Sequence, residues 1–257
     1  MFAPGDRILV AVSGGKDSLA LWHLLRDLGY EADGLYLGLG IGAYSDASGR
    51  HARDFAVARG WPLVEVDLPT DLGFDIPTGS VAARRTPCSA CGLSKRHQFN
   101  RVALERGYDV VATGHNLDDE AAVLLGNVLR WETEYLGRQE PVLPATEGFA
   151  RKVKPLVRLG EREIAAYCVL QGIDYIVDEC PMAVGNRHLG YKEILDTLEE
   201  RSPGTKAAFY GRFLDRARPR FADEVAEARE GLSACTGCGS PTPGDLCAFC
   251  RLRERAS

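Results

Sequence analysis

The sequence predicts an α/β fold in which a parallel sheet is covered by helices on both faces, followed by a small C-terminal zinc-binding module. Short β-branched runs alternate with helical patterns along most of the chain, which is typical of such a sheet. Four cysteines in two closely spaced pairs near the C-terminus predict the module. The composition, 45% hydrophobic and 26% charged, is that of a globular protein and excludes a disordered chain.

The predicted elements follow one another in a regular order. Strands are expected at residues 7–12, 32–37, 63–67, 109–113 and 173–177, with an extended segment at 152–157. Helices are expected at residues 18–28, 45–59, 93–106, 118–130, 161–171, 189–200 and 206–218. Residues 68–87 are rich in Asp, Gly and Pro and predict a loop, and residues 222–230 predict a charged helical connector. The chain then divides into a domain at 1–225 and a connector with the zinc module at 226–257.

Charge is unevenly distributed, although the chain has a net charge of −5. Basic residues concentrate in the segments 84–106, 151–158, 201–220 and 251–255, which together carry +16 and leave −21 elsewhere. A polyanionic partner is therefore not excluded. No apolar stretch reaches the roughly eighteen residues of a membrane span, and no secretory signal is visible. Eight cysteines without an export signal favour a cytoplasmic protein that uses thiols for metal or redox chemistry.

A loop suited to a phosphate group follows the first predicted strand directly. Residues 13–18 have the sequence Ser-Gly-Gly-Lys-Asp-Ser and lead into a helix. Two glycines let the backbone point N–H groups at an anion, and the helix adds the positive end of its dipole. Val10 and Asp17 stand where a Walker A loop needs Gly and Ser or Thr, so this is a different loop. The alternative interpretation is a tight turn capped by Ser18.

A second glycine motif follows the second predicted strand. Gly38, Gly40 and Ala43 fit the GxGxxA pattern of a dinucleotide site, with an acid at Glu65 or Asp67 near the end of the next strand. The phosphate loop already occupies the corresponding end of the sheet. We therefore favour a glycine-rich loop at the rim of the nucleotide pocket.

The internal cysteines form a second candidate site. Cys88 and Cys91 lie at the entrance of a helix, where N–H groups and basic residues at 84, 85, 95 and 96 are expected to lower the thiol pKa. Cys180 follows a predicted strand and can approach this pair, because strand ends and helix starts meet at one edge of the sheet. Three thiolates suit a site with one open coordination position; a structural zinc site or unrelated buried thiols are the alternatives. Cys168 lies on an apolar helical face, so we expect it to be a core residue.

An acidic motif at 114–120 follows the fourth predicted strand and opens a helix. Gly114 allows a ligand to approach the backbone, and carboxylates at a helix start either cap the helix or bind Mg²⁺ beside phosphates. Asp118 is a good capping residue, and His115 can simply brace the turn. The residue pattern alone leaves both interpretations open.

The tail predicts a tetrathiolate zinc site formed by Cys235, Cys238, Cys247 and Cys250. A segment this short buries too little apolar surface to fold alone, whereas a structural zinc ion contributes about 10 kcal/mol. A closed four-cysteine shell indicates an architectural or RNA-contacting role rather than a catalytic one. Arginines at 251, 253 and 255 either contact phosphate or form a solvated terminus.

Together with the segments 178–181 and 202–205, these motifs resemble the tRNA 2-thiolation enzymes of the PP-loop ATP pyrophosphatase superfamily, the TtcA/TtuA family. The resemblance covers residues 6–250 and implies ATP with Mg²⁺, a catalytic or metal-holding Asp119, and a Lys95 that reaches the ATP phosphates. It implies that Cys88, Cys91 and Cys180 hold a 4Fe–4S cluster, although a persulfide route is the alternative. The residues it implies for ATP binding are Ala11, Val12, Ser13, Gly14, Gly15, Lys16, Asp17, Ser18, Leu37, Lys95 and Gly114.

The implied activity is adenylation of a pyrimidine C2 carbonyl in tRNA, followed by replacement of its oxygen with sulfur. Cys91-Gly92 and the tail favour the 2-thiouridine branch over the 2-thiocytidine branch, although the N-terminal zinc module of the uridine branch is not seen. The implied partners are tRNA, a sulfur donor such as a ubiquitin-like thiocarboxylate protein, and a second copy in a homodimer. A PP-loop ligase of the lysidine-synthetase type and a noncatalytic RNA-binding zinc protein are the alternatives.

Overall fold

The computed structural model describes residues 1–221 and 231–256. The predicted connector at 222–230, and the predicted domain boundary between 225 and 226, lie outside the described residues. Within the described part, no helix combines the length and the apolar character needed to cross a membrane.

A six-stranded sheet forms the centre of the molecule. Its strands lie in the order β3–β2–β1–β4–β6–β5, and all pairs are parallel except β5 with β6. The strands are β1 (Arg7–Val12), β2 (Glu31–Gly38), β3 (Leu63–Asp67), β4 (Val110–Thr113), β5 (Val142–Leu143) and β6 (Arg151–Val153). A separate ribbon in the tail pairs β7 (Ser233–Ala234) with β8 (Pro241–Thr242).

Helices connect and cover the strands. Eleven α-helices lie within the described residues: α1 (Lys16–Asp27), α2 (Gly42–Arg59), α3 (Leu68–Leu72), α4 (Ile76–Ala82), α5 (Pro87–Glu105), α6 (Leu117–Arg130), α7 (Thr133–Gly137), α8 (Glu161–Leu170), α9 (Arg187–Arg201), α10 (Thr205–Arg212) and α11 (Ala248–Ala256). Short 3₁₀ segments lie at Pro181–Ala183 and Arg218–Phe221, and a π-helical turn lies at Phe213–Ala217.

Both faces of the sheet are buried, as the predicted fold class requires. Ile8 and Val10 of β1 point into one core cluster together with residues of α1, α2 and α8, whereas Leu9 points into a second cluster. The second cluster contains residues of α4 and α5, and also Phe249 and Leu252 of α11. The tail therefore packs into the main core rather than forming a module without apolar contacts. The prediction of a parallel sheet with helices on both faces is confirmed.

Three predicted elements are wrong. Residues 68–87 contain α3, α4 and the start of α5 instead of a loop. Each of these helices has a capping side chain that accepts a backbone N–H, and each has proline at its first or second position. The capping residues are Asp67, Asp75 and Thr86. Helix α5 thus begins at Pro87 rather than at 93. Residues 173–177 form no strand. The outer edge of β6 is occupied by β5, and the backbone N–H of Ile176 instead donates to the carbonyl of Gly14.

Candidate active site

A cavity of about 280 Å³ lies at the carboxyl ends of β1 and β4. The strand order reverses between these neighbours, and ligand sites of open α/β sheets form at such points. Most residues predicted to bind ATP line the cavity, and so does Asp119. The predicted residues on its wall are Ala11, Val12, Ser13, Gly15, Asp17, Ser18, Leu37, Lys95, Gly114 and Asp119. Gly14 and Lys16 are not on this wall.

The loop after β1 is closed by its own side chains. Ser18 Oγ accepts the backbone N–H of Ser13 at 3.0 Å and donates to the Gly15 carbonyl at 2.9 Å. Gly14 has φ +75°, and a Cβ there would lie 2.2 Å from the Ser48 carbonyl oxygen, so this position requires glycine. Helix α1 begins at Lys16, and its N-cap residue Gly15 provides no side-chain cap. Its first N–H groups therefore remain available to an anion.

The loop after β4 packs directly on the loop after β1. A Cβ at Gly114 would lie 2.9 Å from Asp17 C and from Ser18 N, so only glycine allows this contact. His115 Nδ1 lies 2.8 Å from Thr113 Oγ1, which places the imidazole as a brace of the turn. The two loops thus form one wall of the cavity.

Two lysines and two carboxylates form a chain of ion pairs beside the cavity. Lys16 Nζ lies 2.5 Å from Glu161 Oε1, and Lys192 Nζ lies 3.4 Å from Glu161 Oε2 and 2.5 Å from Asp119 Oδ1. Burial alone would lower the pKa of Lys192, but these two carboxylates raise it overall. Glu161 and Lys192 are absent from the predicted site, because they lie far along the chain from the motifs and carry no local pattern.

Asn116 closes this chain into a ring. Its Nδ2 donates to Asp17 Oδ1 at 3.0 Å, while its Oδ1 accepts the backbone N–H of Asp119 at 2.9 Å. Asp119 Oδ2 in turn accepts the backbone N–H of Asn116 at 3.2 Å, which completes a capping box at the start of α6. Asp17 Oδ2 lies 3.1 Å from Lys16 Nζ. Asp17, an implied ATP-binding residue, and Asp119, the candidate metal-holding carboxylate, are therefore fixed in position while facing the cavity.

Asp118 does not cap α6, contrary to the capping interpretation. Its side chain is buried and pairs with Lys206, which also pairs with Asp196. Asp118 Oδ2 accepts the backbone N–H of Glu161 at 2.7 Å. Burial alone would raise the pKa of Asp118, but the bonds from Lys206 and from the Glu161 N–H lower it. This carboxylate holds α6, α8 and α10 together.

The three internal cysteines come together. Cys88 and Cys91 lie in the first turns of α5, and Cys180 directly precedes the 3₁₀ segment Pro181–Ala183. Cys88 Sγ lies 3.7 Å from the Met182 carbonyl oxygen, and Cys91 and Cys180 both act electrostatically on the Cys88 thiol. Cys91 and Cys180 also act on the phenol of Tyr44, a residue on the cavity wall. Cys91 and Cys180 thus lie within electrostatic range of a cavity-wall residue, although none of the three cysteines is itself on the wall.

The expected lowering of the thiol pKa is wrong for Cys88. Burial and the neighbouring Cys91 and Cys180 raise its pKa, and Lys95 opposes this without reversing it. Within residues 1–221 and 231–256, only the tail cysteines form a group of three or more His, Cys, Asp or Glu side chains whose possible metal-binding atoms all lie within 4.8 Å of one another. The three internal sulfurs therefore do not all lie within 4.8 Å of one another.

The tail cysteines form a compact four-sulfur centre that can hold a metal ion. Cys238 Sγ lies 3.6 Å from Cys247 Sγ, close to the separation expected for two thiolates on one zinc ion. Burial alone would raise the pKa of Cys235, but backbone N–H groups of Cys247, Gly237 and Cys238 lower it to about 6. Such N–H groups favour the thiolate form that binds metal. Cys168, by contrast, is fully buried in the core, as predicted.

Several basic residues of the segments 151–158 and 201–220 are already paired. Arg151 pairs with Asp6, Lys154 Nζ lies 2.8 Å from Glu120 Oε2, and Arg218 pairs with Glu140. These pairs stabilise the fold and offer less charge to an external polyanion.

A different basic group carries uncompensated charge. Arg96 and Lys152 make no ion pair within the described residues, and they interact electrostatically with each other and with Arg138. Burial, Arg96 and Arg138 lower the pKa of Lys152 to about 8. The Arg96 guanidinium folds back over Gly92: a Cβ added at Gly92 would lie 3.0 Å from Arg96 Nη1. This position brings the positive charge of Arg96 beside Cys91.

Two glycines of the second motif lie close against acidic residues of the following segment. A Cβ at Gly38 would lie 2.3 Å from Asp67 Oδ2, and one at Gly40 would lie 2.5 Å from Asp75 Cβ. Asp67 caps α3 and accepts the Thr70 N–H at 3.0 Å. These contacts favour the loop interpretation over a dinucleotide site. Leu37 and Leu39, which flank Gly38, lie on the wall of the 280 Å³ cavity.

The fold and the site define an α/β nucleotide-loop protein of the PP-loop type with a thiol centre beside its cavity. No protein-family profile matches the chain. The chain is 52% identical over 98% of its length to the tRNA-5-methyluridine(54) 2-sulfurtransferase of Thermus thermophilus, and 46% identical over 96% to that of Pyrococcus horikoshii. It spans 78% of each relative. The chain belongs to the family of tRNA 2-thiolation sulfurtransferases, as the sequence motifs predicted.

A solved structure agrees with this membership. The U34-tRNA thiolase NcsA from Methanococcus maripaludis, with its 4Fe–4S cluster, superposes with a TM-score of 0.73 at 27% sequence identity. The match covers 82% of this chain and 72% of NcsA.

Proposed function

We propose that this protein is an ATP-dependent tRNA sulfurtransferase that converts a uridine C2 carbonyl to a thiocarbonyl. The observation that supports the proposal is that Cys91 and Cys180 act electrostatically both on the Cys88 thiol and on Tyr44, a residue on the wall of the cavity that holds the phosphate loop. The names of the Thermus and Pyrococcus relatives favour 5-methyluridine at position 54 as the substrate. The thiol group argues against a ligase that joins an amine to an adenylated base.

ATP with Mg²⁺ is assigned to the cavity between the loops after β1 and β4. The uncapped N–H groups at the start of α1 and the ammonium of Lys95 would bind phosphate oxygens. Asp17 and Asp119 are carboxylates on the same wall and suit Mg²⁺, which prefers oxygen ligands. Lys16 is tied to Glu161 outside this wall, so it supports the loop from behind.

The reaction divides into activation and sulfur transfer. The C2 carbonyl oxygen attacks the α-phosphorus of ATP, pyrophosphate leaves, and the oxygen becomes the bridging atom of an adenylated base. Sulfur at the oxidation level of hydrosulfide then adds to C2, AMP departs with that oxygen, and loss of the S–H proton leaves the thiocarbonyl. Lys95 on the cavity wall stabilises negative charge on the phosphates during the first step.

Three cysteines fit a 4Fe–4S cluster, because they supply three thiolates and leave one iron without a protein ligand. When bound, such a cluster offers that iron as a binding site for the sulfur to be transferred. A persulfide on one of the same cysteines is the alternative. The tail centre is assigned to Zn²⁺, in keeping with its four cysteines. The identity of the sulfur donor, a homodimer and a cytoplasmic location stay predictions.

Serine substitutions test the sulfur assignment. We expect Cys88→Ser and Cys180→Ser each to lower the rate of tRNA thiolation by about 100-fold or more, because one ligand of a cooperative centre is lost. ATP binding, measured by calorimetry, should change little in both variants. Cys168→Ser is the matched control for a thiol outside the group of three: it is buried in the core, and its sulfur lies 3.6 Å from the Lys16 carbonyl oxygen behind the phosphate loop.

Wild-type thiolation rates in both variants would contradict the assignment. Iron and sulfide analysis after anaerobic purification separates the two routes: a brown protein with both elements supports the cluster, and a colourless active protein supports the persulfide.

A further inference from the structure

His97 connects the helix of the internal cysteines with the tail metal centre. It lies on α5, two residues after Lys95 and six after Cys91. Its Nε2 lies 3.4 Å from Cys238 Sγ. Its ring stacks on Phe249 of α11 with a centroid separation of 3.9 Å and an angle of 13° between the planes. The imidazole is thus held flat between α5 and the tail.

The hydrogen bonds on the other side of the ring fix which nitrogen carries the proton. Arg101 Nε donates to Gln98 Oε1 at 2.8 Å, and a guanidinium can only donate, so this contact fixes the orientation of the Gln98 amide. The Gln98 Nε2 group then faces His97 Nδ1 at 3.2 Å and donates to it. Nδ1 is therefore an acceptor, and the neutral ring carries its hydrogen on Nε2.

The Nε2–H group has two neighbours, and the sulfur is the better acceptor. Ser240 Oγ also lies 3.4 Å from Nε2, which is long for an N–H···O bond. A sulfur atom is larger, so 3.4 Å is an ordinary distance for N–H···S. Cys238 is also the exposed member of the four tail cysteines; the other three are buried.

We propose that His97 is a positioning residue of the tail metal centre. Its Nε2–H donates to the Cys238 thiolate, and this bond joins metal binding in the tail to the position of the helix that carries Cys88, Cys91 and Lys95. The four sulfurs fit a zinc ion without His97, so the imidazole acts through Cys238 rather than on the metal. Hydrogen bonds of this kind orient a ligand and reduce the negative charge that the metal must neutralise.

Two substitutions separate the N–H group from the stacked ring. His97→Phe keeps a flat ring against Phe249 but removes the donor, whereas His97→Gln removes the ring and retains an amide N–H near the position of Nε2. We expect His97→Phe to weaken Zn²⁺ binding by about 10- to 100-fold in competition with a chromophoric chelator, because mutation of such partners has this effect. His97→Gln should stay within about threefold of the wild type.

Equal Zn²⁺ affinity in wild type and His97→Phe would overturn the proposal. A lower Zn²⁺ affinity in His97→Gln together with an unchanged affinity in His97→Phe would also overturn it. With Co²⁺ in place of Zn²⁺, the thiolate-to-metal charge-transfer band should shift in His97→Phe and not in Ser240→Ala. This readout stays valid if one variant folds poorly, since the second variant and the spectrum are measured independently. Neither measurement depends on tRNA thiolation, so failure of the proposed activity would leave this test intact.

The connection to α5 has its own test. When Zn²⁺ is removed from the full chain with a chelator, we expect hydrogen exchange of the backbone amides at 95–101 to accelerate by about tenfold or more, while the amides of β1 and α1 stay protected. Unchanged exchange at 95–101 in the metal-free chain would show that the tail centre does not position this helix.

Discussion

Asp118 and Asp119 are neighbours in the chain, yet their carboxylates act in different parts of the molecule. Asp118 is buried against Lys206, whereas Asp119 faces the cavity and pairs with Lys192. The sequence favoured Asp119 for chemistry through a resemblance, and left a capping role for Asp118 as one of two open interpretations. The actual cap is Asn116, three residues before the acid that completes the capping box. That spacing is visible in the sequence and identifies the cap, but the partner of Asp118 lies 88 residues away.

Replacing each acid by its amide should separate stability from turnover. Asp118→Asn leaves Lys206 with a single acidic partner, and we expect a loss of about 2 kcal/mol in the free energy of unfolding, measured with urea. Asp119→Asn should lower the rate of pyrophosphate release with tRNA by about 100-fold and change stability little. The opposite pattern, an active Asp119→Asn and an unchanged stability in Asp118→Asn, would contradict both roles.

The pH dependence of the Asp118 contribution follows from its lowered pKa. Because the folded-state pKa lies below the ordinary value of 3.8, the stabilisation is complete at neutral pH. It is lost as the pH falls through 3.8 towards the lower folded value. Wild type should therefore lose its advantage over Asp118→Asn in acid.

At the scale of whole elements, helices were harder to predict than strands. The first four parallel strands were predicted within a few residues, since each is a buried apolar run. Helices α3 and α4 were predicted as a loop because Asp, Gly and Pro dominate residues 68–87. The same residues signal helix starts when proline follows one or two positions after a capping side chain. The segment 173–177 is rich in β-branched residues, but its Ile176 N–H donates to the Gly14 carbonyl of the loop after β1 instead of pairing with a strand.

Helix α9 contacts the candidate active site through one side chain. Lys192 bridges Asp119 and Glu161, so its ammonium occupies a position beside a carboxylate that is a candidate for Mg²⁺. We expect Lys192→Met to increase the affinity for Mg²⁺ and to decrease the affinity for metal-free ATP, each by about fivefold, because one positive charge is removed. Calorimetric titration of ATP with and without Mg²⁺ measures both effects.

Arg187→Met is the matched control for this change. It removes one exposed cation from the same helix and should leave both affinities unchanged. Equal changes of the Mg²⁺ and ATP affinities in Lys192→Met and Arg187→Met would mean that Lys192 contributes only to the long-range electrostatic field. Lys192→Arg, which keeps the charge, should resemble the wild type.

For the whole molecule, charge in the sequence did not show which basic residues are free. The segment 151–158 is basic, yet Arg151 and Lys154 pair with acids from distant parts of the chain. The tail likewise had too few apolar residues for a core of its own, but Phe249 and Leu252 enter the main core. Both outcomes depend on contacts between distant segments, which no local pattern encodes.

This distinction between free and paired cations predicts how tRNA binding responds to salt. Arg96, beside Cys91, and its neighbour Lys152 carry uncompensated charge, so Arg96→Ala and Lys152→Met should each reduce the slope of log affinity against log salt by about 0.7 to 0.9, the value for one phosphate contact. Arg151→Gln, the paired control, should leave the slope unchanged.

Because the pKa of Lys152 is lowered to about 8, wild-type affinity should also fall between pH 7 and pH 9 as this ammonium loses its proton. Lys152→Met should lack that decrease in affinity. Filter-binding titrations at several salt concentrations and pH values measure both the salt slope and the pH effect. Identical salt slopes for Arg96→Ala and Arg151→Gln would show that the RNA does not contact Arg96.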